Sequence, residues 1–286
     1  MSDDTVIDAS WDAAYLDSRR DQWSLELSDE DRRLLWADAP AGGRRATDRV
    51  RERLHAFVLD STRAFGFAHV RNLAAPGPTG EREIVAGLSA LLREWGRIVP
   101  QNTRGDLAQV LRDRDGDGAT ELGFHCDACD LLVLLCLQPA VHGGGNTRLA
   151  SARRVYDTIE RERPAALDHL CEPWTFDRSD RGGRVSVTPI FFTQPDGTLG
   201  CHYQPRTVRA SAERHGGPLT APQRQALDLL DEVLHRPQTA FDLRLAAGEL
   251  LVVRNSRALH GRSPFTDQVG PRSRRMLRFW IDEEAA

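Results

Sequence analysis

The order of helical and extended patterns along the chain constrains its fold more than any other feature of the sequence. In the first third, apolar residues recur at helical spacing over 47–65 and over 81–95, and a loop is predicted at 76–79. Between the two helices, GFAHVRNL at 66–73 alternates in the manner of a strand. The chain therefore begins with amphipathic helices that flank a single strand.

Strand patterns dominate the rest of the sequence. LLVLLCLQP at 131–139 is a continuous apolar run of strand length, and residues 184–204 predict a hairpin that turns at Pro195-Asp196-Gly197. FDLRLAAGELLVVRN and RRMLRFWID supply the last strands, after one helix predicted at 221–234. Helices first, then many strands with one helix inserted late, predict an antiparallel barrel or sandwich that carries packed helices.

The chain length of 286 residues suits one large domain, and no internal repeat divides it. The N-terminal extension is predicted to be polar, with one short helix, LSDEDRRLLWAD, in which Ser28 and Asp31 form a capping pattern. We predict a single domain over 1–286, made of an N-terminal extension at 1–45, a helical and strand flank at 46–98 and a core at 99–282.

Charge and hydropathy exclude several classes of protein. The formal net charge of −4 and the scattered arginines give no electrostatic footprint for nucleic acid. No stretch approaches the roughly 18 consecutive apolar residues of a membrane helix, and the acidic N-terminus does not resemble a secretory signal. The five cysteines are odd in number and lack framework spacing, so reduced thiols in the cytoplasm are expected. We expect a small-molecule partner, and the sequence leaves the oligomeric state open.

The segment GFHCDACD contains a candidate metal-binding pair, His125 and Asp127. On an extended strand, residues i and i+2 project to the same face, so the imidazole and the carboxylate can share one metal ion. A second histidine, His260, follows the hydrophobic strand ELLVV. Two histidines and one carboxylate leave three positions open on an octahedral ion, which is the arrangement of non-haem Fe(II) oxygenases. An H-x-D pair alone is weak evidence, because it occurs by chance in many proteins.

Three stretches strengthen this interpretation because they occur in a fixed order: HCDACDLLVLLCLQPAVHGGGNTRLAS, GELLVVRNSRALHGRSPF and RSRRMLRFWID. Together they resemble the TauD/TfdA family of 2-oxoglutarate-dependent dioxygenases, and within it the clavaminate-synthase-like branch. The resemblance covers Val99 to Asp282, with a fainter match at GFAHVRNL. It implies a mainly β, α+β fold: a double-stranded β-helix (jelly-roll) core with flanking helices. It also implies Fe(II) as the metal, with 2-oxoglutarate and O₂ as co-substrates.

The resemblance further implies roles for single residues. The iron ligands of the family fall on His125, Asp127 and His260. Thr147 would hydrogen-bond the far carboxylate of 2-oxoglutarate, and Arg274 would pair with that carboxylate through its planar fork.

Arg278 matches a second arginine of the family and is a further candidate for binding 2-oxoglutarate. Residues four positions apart on a strand share a face, so Arg274 and Arg278 would both enter the pocket, and Arg275 would point away. If Arg274 holds 2-oxoglutarate, Arg278 would be free to meet an anionic group of the substrate.

The implied reaction oxidises an aliphatic carbon of a small polar substrate, most simply by hydroxylation. By analogy, the substrate is expected to be an amino acid or an amino-acid-derived intermediate of specialised metabolism. A jelly-roll binding protein without catalysis is the alternative, and it would bind a ligand without turning over 2-oxoglutarate. The candidates for substrate contact are Asn102, Asp130, His202, Arg206 and Arg278, and the alternative for the first two is loop capping or solvent contact.

Other metal and catalytic patterns in the sequence are incomplete. Cys126-x-x-Cys129 is half of a zinc site, but no second C-x-x-C exists, and Cys126 should face away from His125 and Asp127. DRDGDG at 113–118 begins like a calcium loop, but Phe124 occupies the position of the required glutamate, so a mobile polar loop, or lid, is the preferred interpretation. HGGG at 142–145 resembles an esterase oxyanion loop, but the chain contains no G-x-S-x-G elbow.

Overall fold

The computed structural model describes residues 10–36, 44–74, 80–112, 120–179, 183–215, 217–266 and 273–283. The loop predicted at 76–79, the proposed lid at 113–118 and the last two residues of LSDEDRRLLWAD lie outside the described residues. The helices are α1 (Ala13–Asp17), α2 (Arg20–Trp23), α3 (Asp29–Trp36), α4 (Arg44–Phe65), α5 (Glu81–Leu92), α6 (Ala152–Glu162), α7 (Pro164–Leu170), α8 (Pro205–His215) and α9 (Ala221–His235). The strands are β1 (Ser24–Glu26), β2 (Phe67–Arg71), β3 (Arg97–Ile98), β4 (Ala108–Arg112), β5 (Leu122–His125), β6 (Leu131–Gln138), β7 (Thr147–Ser151), β8 (Pro173–Asp177), β9 (Val185–Pro189), β10 (Phe191–Thr193), β11 (Leu199–Cys201), β12 (Phe241–Leu243), β13 (Leu250–Arg254), β14 (Ala258–Arg262) and β15 (Arg275–Asp282).

Two sheets form the jelly-roll core. The larger sheet has the order β1-β2-β13-β6-β15-β3, and β4 also pairs with β15. The smaller sheet has the order β12-β7-β14-β5. Neighbouring strands are antiparallel apart from β1 and β2, which pair in parallel. The fold class predicted from the sequence is confirmed.

Strand alternation divides the apolar residues between the two faces of the larger sheet. On β6, Leu131, Val133 and Leu135 pack against the helices α4 and α5, whereas Leu132 and Leu134 face the smaller sheet. β15 alternates in the same way. Both faces are therefore covered, which explains why β6 is a continuous apolar run rather than an alternating one. The interior between the sheets is the space into which site residues can project.

A second helical layer covers the outer face of the smaller sheet. Phe124, Ala150 and Leu259 pack there against buried residues of α6, α7, α8 and α9. The sequence analysis predicted only one helix in this region, so α6, α7 and α8 correct it. α6 did carry a detectable signal, because Val155 and Ile159 lie four residues apart and both are fully buried. The helix was not predicted because most of its other residues are charged or polar, so the apolar stripe is narrow.

The N-terminal segment contradicts the prediction of a polar extension. Trp11, Leu16, Trp23 and Leu27 are each at most 1% exposed, and β1 extends the larger sheet. The indole of Trp11 donates to the carbonyl of Phe65 at 2.7 Å, so this segment is tied to the end of α4. The prediction failed because single large side chains, spaced far apart in polar sequence, carry the burial.

The predicted hairpin over 184–204 is only half correct. Phe191–Cys201 forms a hairpin whose turn contains Gly197 at φ +81°, as predicted. The preceding strand, β9, instead pairs back with β8. The helix predicted at 221–234 is confirmed as α9, and it is capped by Thr220, whose hydroxyl accepts from the amide of Gln223.

The remaining helix predictions hold within a few residues. The capping pattern of α3 is confirmed, since the Ser28 hydroxyl accepts from the amide of Asp31 at 3.1 Å. α4 begins three residues earlier than predicted and α5 ends at Leu92 rather than at residue 95. Among the described residues, no helix is both long enough and apolar enough to cross a membrane.

Candidate metal centre and active site

The structure brings His125, Asp127 and His260 together between the sheets. His125 is the last residue of β5 and pairs in register with His260 on β14, and Asp127 follows two residues later. One potential ligand atom from each residue lies within 4.8 Å of those of the other two. The carboxylate oxygens of Asp127 lie 3.8 Å from Nε2 of His125 and 3.8 Å from Nε2 of His260. This is the one such group of metal-binding side chains found among the described residues.

Each imidazole has one ring nitrogen placed to face a metal. Nδ1 of His125 lies 2.9 Å from the carbonyl of Gly123, which can only accept, so Nδ1 is the donor and Nε2 is the nitrogen left for a metal. Burial, with a smaller contribution from His125, lowers the pKa of His260 to about 3. His260 is therefore neutral at neutral pH, which is the form that binds metals.

Asp127 is held through both its backbone and its carboxylate. Its amide donates to Oδ1 of Asn255 at 2.8 Å, and the indole of Trp280 donates to its Oδ2 at 3.0 Å. Burial raises its pKa, but the positive charges of His260, His125 and Arg278 and the Trp280 hydrogen bond outweigh this, so the pKa lies below its ordinary value. His260 is neutral at neutral pH. At that pH, Arg278 and Trp280 therefore contribute most to the stabilisation of the Asp127 carboxylate. Asp127 is thus an anionic ligand at neutral pH.

A cavity of about 820 Å³ opens over the three residues. Apolar side chains, among them Leu132, Leu134 and Met276, line part of its wall. The predicted residues Thr147, Arg274 and Arg278 also line it. A cavity with an apolar wall on one part and several converging polar and charged groups is typical of a site for a small polar molecule.

The glycine run at 142–145 shapes the part of this cavity around Arg274. Arg274 is 9% exposed, and its Nε donates to the carbonyl of Gly145 at 3.2 Å. Gly145 has a φ of +64°, and a Cβ built on it would lie 2.9 Å from Cδ of Arg274. The backbone must therefore bend in the left-handed region and come close to the arginine, which glycine alone allows without strain. Thr147, two residues later, is 4% exposed at the start of β7.

Arg278 lines the cavity but is not free, which corrects the expectation from the sequence. Its Nε donates to Oε1 of Gln101 at 2.6 Å, and its Nη2 donates to Oε1 of Gln109 at 2.9 Å. Its Nη1 lies 3.6 Å from Oδ2 of Asp127. All three nitrogens of the guanidinium group therefore have partners in the protein. Arg275 points away as predicted, since it contacts Gln138 at 3.3 Å outside the cavity.

The other substrate candidates lie in different places. Asn102 closes a turn, because its side chain bonds to the carboxylate of Asp106 at 2.8 Å and accepts from the amide of Arg104 at 2.9 Å. This is the loop-capping alternative, and Asn102 does not line the cavity. Arg206 is exposed in the first turn of α8 and does not line it either.

Asp130 and His202 line a second, smaller cavity of about 510 Å³. Asp127 borders both cavities. Oδ2 of Asp130 accepts from the amide of Glu283 at 2.9 Å, which ties the loop after Asp127 to the end of β15. Burial, and then the charge of Arg178, lowers the pKa of His202 to about 4. His202 is therefore neutral at neutral pH and stacks edge-to-face on Phe176 with ring centroids 4.6 Å apart.

The structure does not support the zinc alternative. Cys126 is fully buried on the opposite side of the strand from His125, as predicted, and its thiol faces the carbonyl of Cys201. Cys129 lies against Asn255 and Leu131. All five cysteines are unpaired.

Sequence reasoning missed four residues that organise the site: Gln101, Gln109, Asn255 and Trp280. Gln101 lies next to Asn102, which was considered for the pocket, and Trp280 follows Arg278 by the two residues that keep a strand on one face. Those spacings were the signals available. Gln109 and Asn255 carry no pattern, because their partners lie 169 and 128 residues away in sequence.

The jelly roll, with two histidines and one carboxylate on one side of an interior cavity, defines a non-haem iron oxygenase. Comparison with known proteins identifies the family within this class. Residues 44–280 match the family model described as taurine catabolism dioxygenase TauD, TfdA family. The chain belongs to this family.

Individual relatives agree with this assignment. FR-33289 synthase from Streptomyces rubellomurinus is 30% identical over 239 residues, which cover 77% of this chain and 70% of that protein. A uridine-5'-phosphate dioxygenase from Amycolatopsis is 29% identical over 246 residues, which cover 77% of this chain and 86% of that protein. Among solved structures, asparagine oxygenase in complex with Fe(II), 2S,3S-3-hydroxyasparagine and succinate superposes with a TM-score of 0.69 at 21% identity, over 91% of this chain and 93% of that one. The chain is a 2-oxoglutarate-dependent non-haem iron dioxygenase.

Proposed function

We propose that His125, Asp127 and His260 bind one Fe(II) and that the chain hydroxylates an aliphatic carbon of a small polar molecule. The observation that carries the proposal is that three potential ligand atoms lie within 4.8 Å of one another, in the cavity that Arg274 also lines. Two imidazoles and one carboxylate fit Fe(II), because they leave open positions for a bidentate co-substrate and O₂. When bound, Fe(II) supplies the activation of O₂ that couples decarboxylation of 2-oxoglutarate to hydroxylation of the substrate.

Arg274 and Thr147 are proposed to bind the far carboxylate of 2-oxoglutarate. Both are at most 9% exposed, and both line the cavity that contains the three metal-binding residues. A guanidinium group as buried as that of Arg274 attracts a carboxylate more strongly than it would in water, and the Gly145 carbonyl orients it through Nε. The apolar wall formed by Leu132, Leu134 and Met276 limits the access of water to the reacting groups.

The substrate is proposed to be an amino acid or an amino-acid-derived intermediate that carries an anionic group. Among the described residues, the cavity is lined by five arginines (Arg104, Arg112, Arg262, Arg274 and Arg278) against two aspartates (Asp106 and Asp127), and Glu81 offsets one arginine by pairing with Arg112 at 3.1 Å. A bound Fe(II) and a bound 2-oxoglutarate carry opposite charges of equal size, so the cavity keeps its positive excess when both are present. A carboxylate, sulfonate or phosphonate on the substrate would complement that excess. The name of the Amycolatopsis relative, a uridine-5'-phosphate dioxygenase, is compatible with an anionic substrate.

We also propose that the protein acts in the cytoplasm. Its five unpaired cysteines support a reducing compartment, which also protects Fe(II) from oxidation.

The proposal is tested by measuring succinate released from 2-oxoglutarate in the presence of candidate substrates. Each anionic candidate is paired with its uncharged counterpart: uridine 5'-phosphate with uridine, and amino acids with their amides. We expect Fe(II)-dependent succinate formation that anionic members stimulate more than their counterparts, and loss of all turnover in Asp127→Ala. A protein that binds these compounds without forming succinate would instead be a binding protein. Stronger stimulation by the uncharged members would reject the anionic substrate alone.

A further inference from the structure

The metal-binding carboxylate of Asp127 is contacted by two residues from one face of β15. Trp280 donates its indole N–H to Oδ2 at 3.0 Å, and Nη1 of Arg278 lies 3.6 Å from the same oxygen. The two residues lie two positions apart on the strand, so both project from the same face, toward the interior. The ring of Trp280 also lies 5.0 Å from the guanidinium carbon of Arg278, so the two side chains support each other.

Two glutamines hold Arg278 in this position. Gln101 accepts from Nε and Gln109 accepts from Nη2, which leaves Nη1 directed at Asp127. Two further hydrogen bonds fix the orientation of the Gln101 side chain. Its Nε2 donates to the carbonyls of Arg278 at 2.8 Å and of Leu107 at 3.0 Å, so only its Oε1 can face the arginine.

We propose that Trp280 and Arg278 are positioning residues that hold the Asp127 carboxylate in its metal-binding orientation, and that Gln101 and Gln109 orient Arg278 for this task. The inference rests on the proposed function, because it assumes that Asp127 binds Fe(II). It deepens that function by giving Arg278 a role at the metal. The physical reason is that a carboxylate held by one side-chain bond can turn, and a turned carboxylate no longer presents the same oxygen to the metal. Asn255 holds the backbone of Asp127, but it does not restrain this rotation.

Trp280→Phe is the direct test, because it removes the N–H donor and keeps an aromatic ring beside Arg278. Trp95→Phe is the matched control. Trp95 lies in the core between the larger sheet and the helices α4 and α5 and is 5% exposed. Its indole nitrogen has no hydrogen-bond partner among the described residues. Both variants lose one ring and one N–H, but only one of them loses a contact to Asp127.

Fe(II) affinity is measured without oxygen by titration calorimetry, and the visible charge-transfer absorption of the Fe(II)–2-oxoglutarate complex is recorded at saturation. Loss of a partner of a metal ligand typically weakens metal binding by about 10- to 100-fold, and we expect a loss in this range for Trp280→Phe. We also expect its absorption band to shift, because the environment of the ligand changes. Trp95→Phe should match the wild type in both measurements, whatever it loses in thermal stability.

Wild-type affinity and an unchanged band in Trp280→Phe would overturn the inference. If Trp280→Phe does not fold, Arg278→Met decides by the same two measurements, because it removes the charge beside Oδ2 and keeps the aliphatic stem. Failure of the wild type to form the Fe(II)–2-oxoglutarate complex would refute the proposed function itself, and that outcome is distinct from equal behaviour of wild type and variant.

Discussion

Replacing Gly145 by alanine should damage the co-substrate site although every residue proposed to bind 2-oxoglutarate is kept. A Cβ at this position would lie 2.9 Å from Cδ and 3.0 Å from Nε of Arg274, and 3.3 Å from Cδ1 of Phe265. Arg274 must therefore move, and its hydrogen bond to the Gly145 carbonyl is strained or lost. A hydrogen bond from a charged group contributes about 1.5–3 kcal/mol, so 2-oxoglutarate should bind roughly 10- to 150-fold more weakly if the displacement costs one such bond.

Gly143→Ala separates this effect from backbone strain. Gly143 lies in the same loop with a φ of +84°, and a Cβ there would meet no atom of the described residues within 4 Å. Both variants should lose about 1–2 kcal/mol of unfolding free energy, because an L-residue is disfavoured in the left-handed region. Only Gly145→Ala should lose affinity for 2-oxoglutarate, measured by calorimetry with Fe(II) and without oxygen. Equal affinities in the two variants would show that the glycine run does not shape the Arg274 site.

Three further predictions concern the cavity residues. Arg274→Ala should weaken 2-oxoglutarate binding by roughly 2–5 kcal/mol and Thr147→Ala by about 0.5–1.5 kcal/mol, and the reverse order of affinities would contradict their assignment. Arg278→Lys should impair succinate formation both with and without substrate, because lysine cannot bond to both glutamines and still face Asp127; loss only with substrate would return Arg278 to substrate binding. His202 has a folded-state pKa of about 4 against an ordinary 6.5, so the unfolded chain binds more protons between these values and stability falls as the pH drops through this window. Urea unfolding gives the free energy of unfolding at pH 7 and at pH 5. The decrease between the two should be smaller by about 2 kcal/mol in His202→Gln than in the wild type, and an equal decrease in both would exclude His202 as its source.

The parts of the site that sequence alone could predict are those governed by strand alternation. His125 and Asp127 converge, Cys126 faces the other way, and Arg274 shares a face with Arg278, because each pair follows the two-residue period of extended backbone. The pairing of His125 with His260 spans 135 positions, and only the resemblance to the family connected them. The roles of all these residues stay predictions until ligands are bound.

The parts that sequence could not predict depend on contacts between distant segments. Arg278 looked free because no spacing links it to Gln101, which lies 177 residues away. The buried tryptophans of the N-terminal segment were missed for a related reason, since Trp11 owes its burial to the end of α4, 54 residues further on. Tertiary packing decides such cases, and local pattern contains no record of it.

A crystal structure of the protein grown without oxygen, with Fe(II) and 2-oxoglutarate, would test the central claim most directly. We predict one metal ion bound by Nε2 of His125, Nε2 of His260 and a carboxylate oxygen of Asp127, at about 2.0–2.2 Å from each, as for other divalent ions with these ligands. The far carboxylate of 2-oxoglutarate should contact Arg274 and Thr147. A metal bound elsewhere, or a 2-oxoglutarate molecule whose far carboxylate lies on Arg278, would contradict the account.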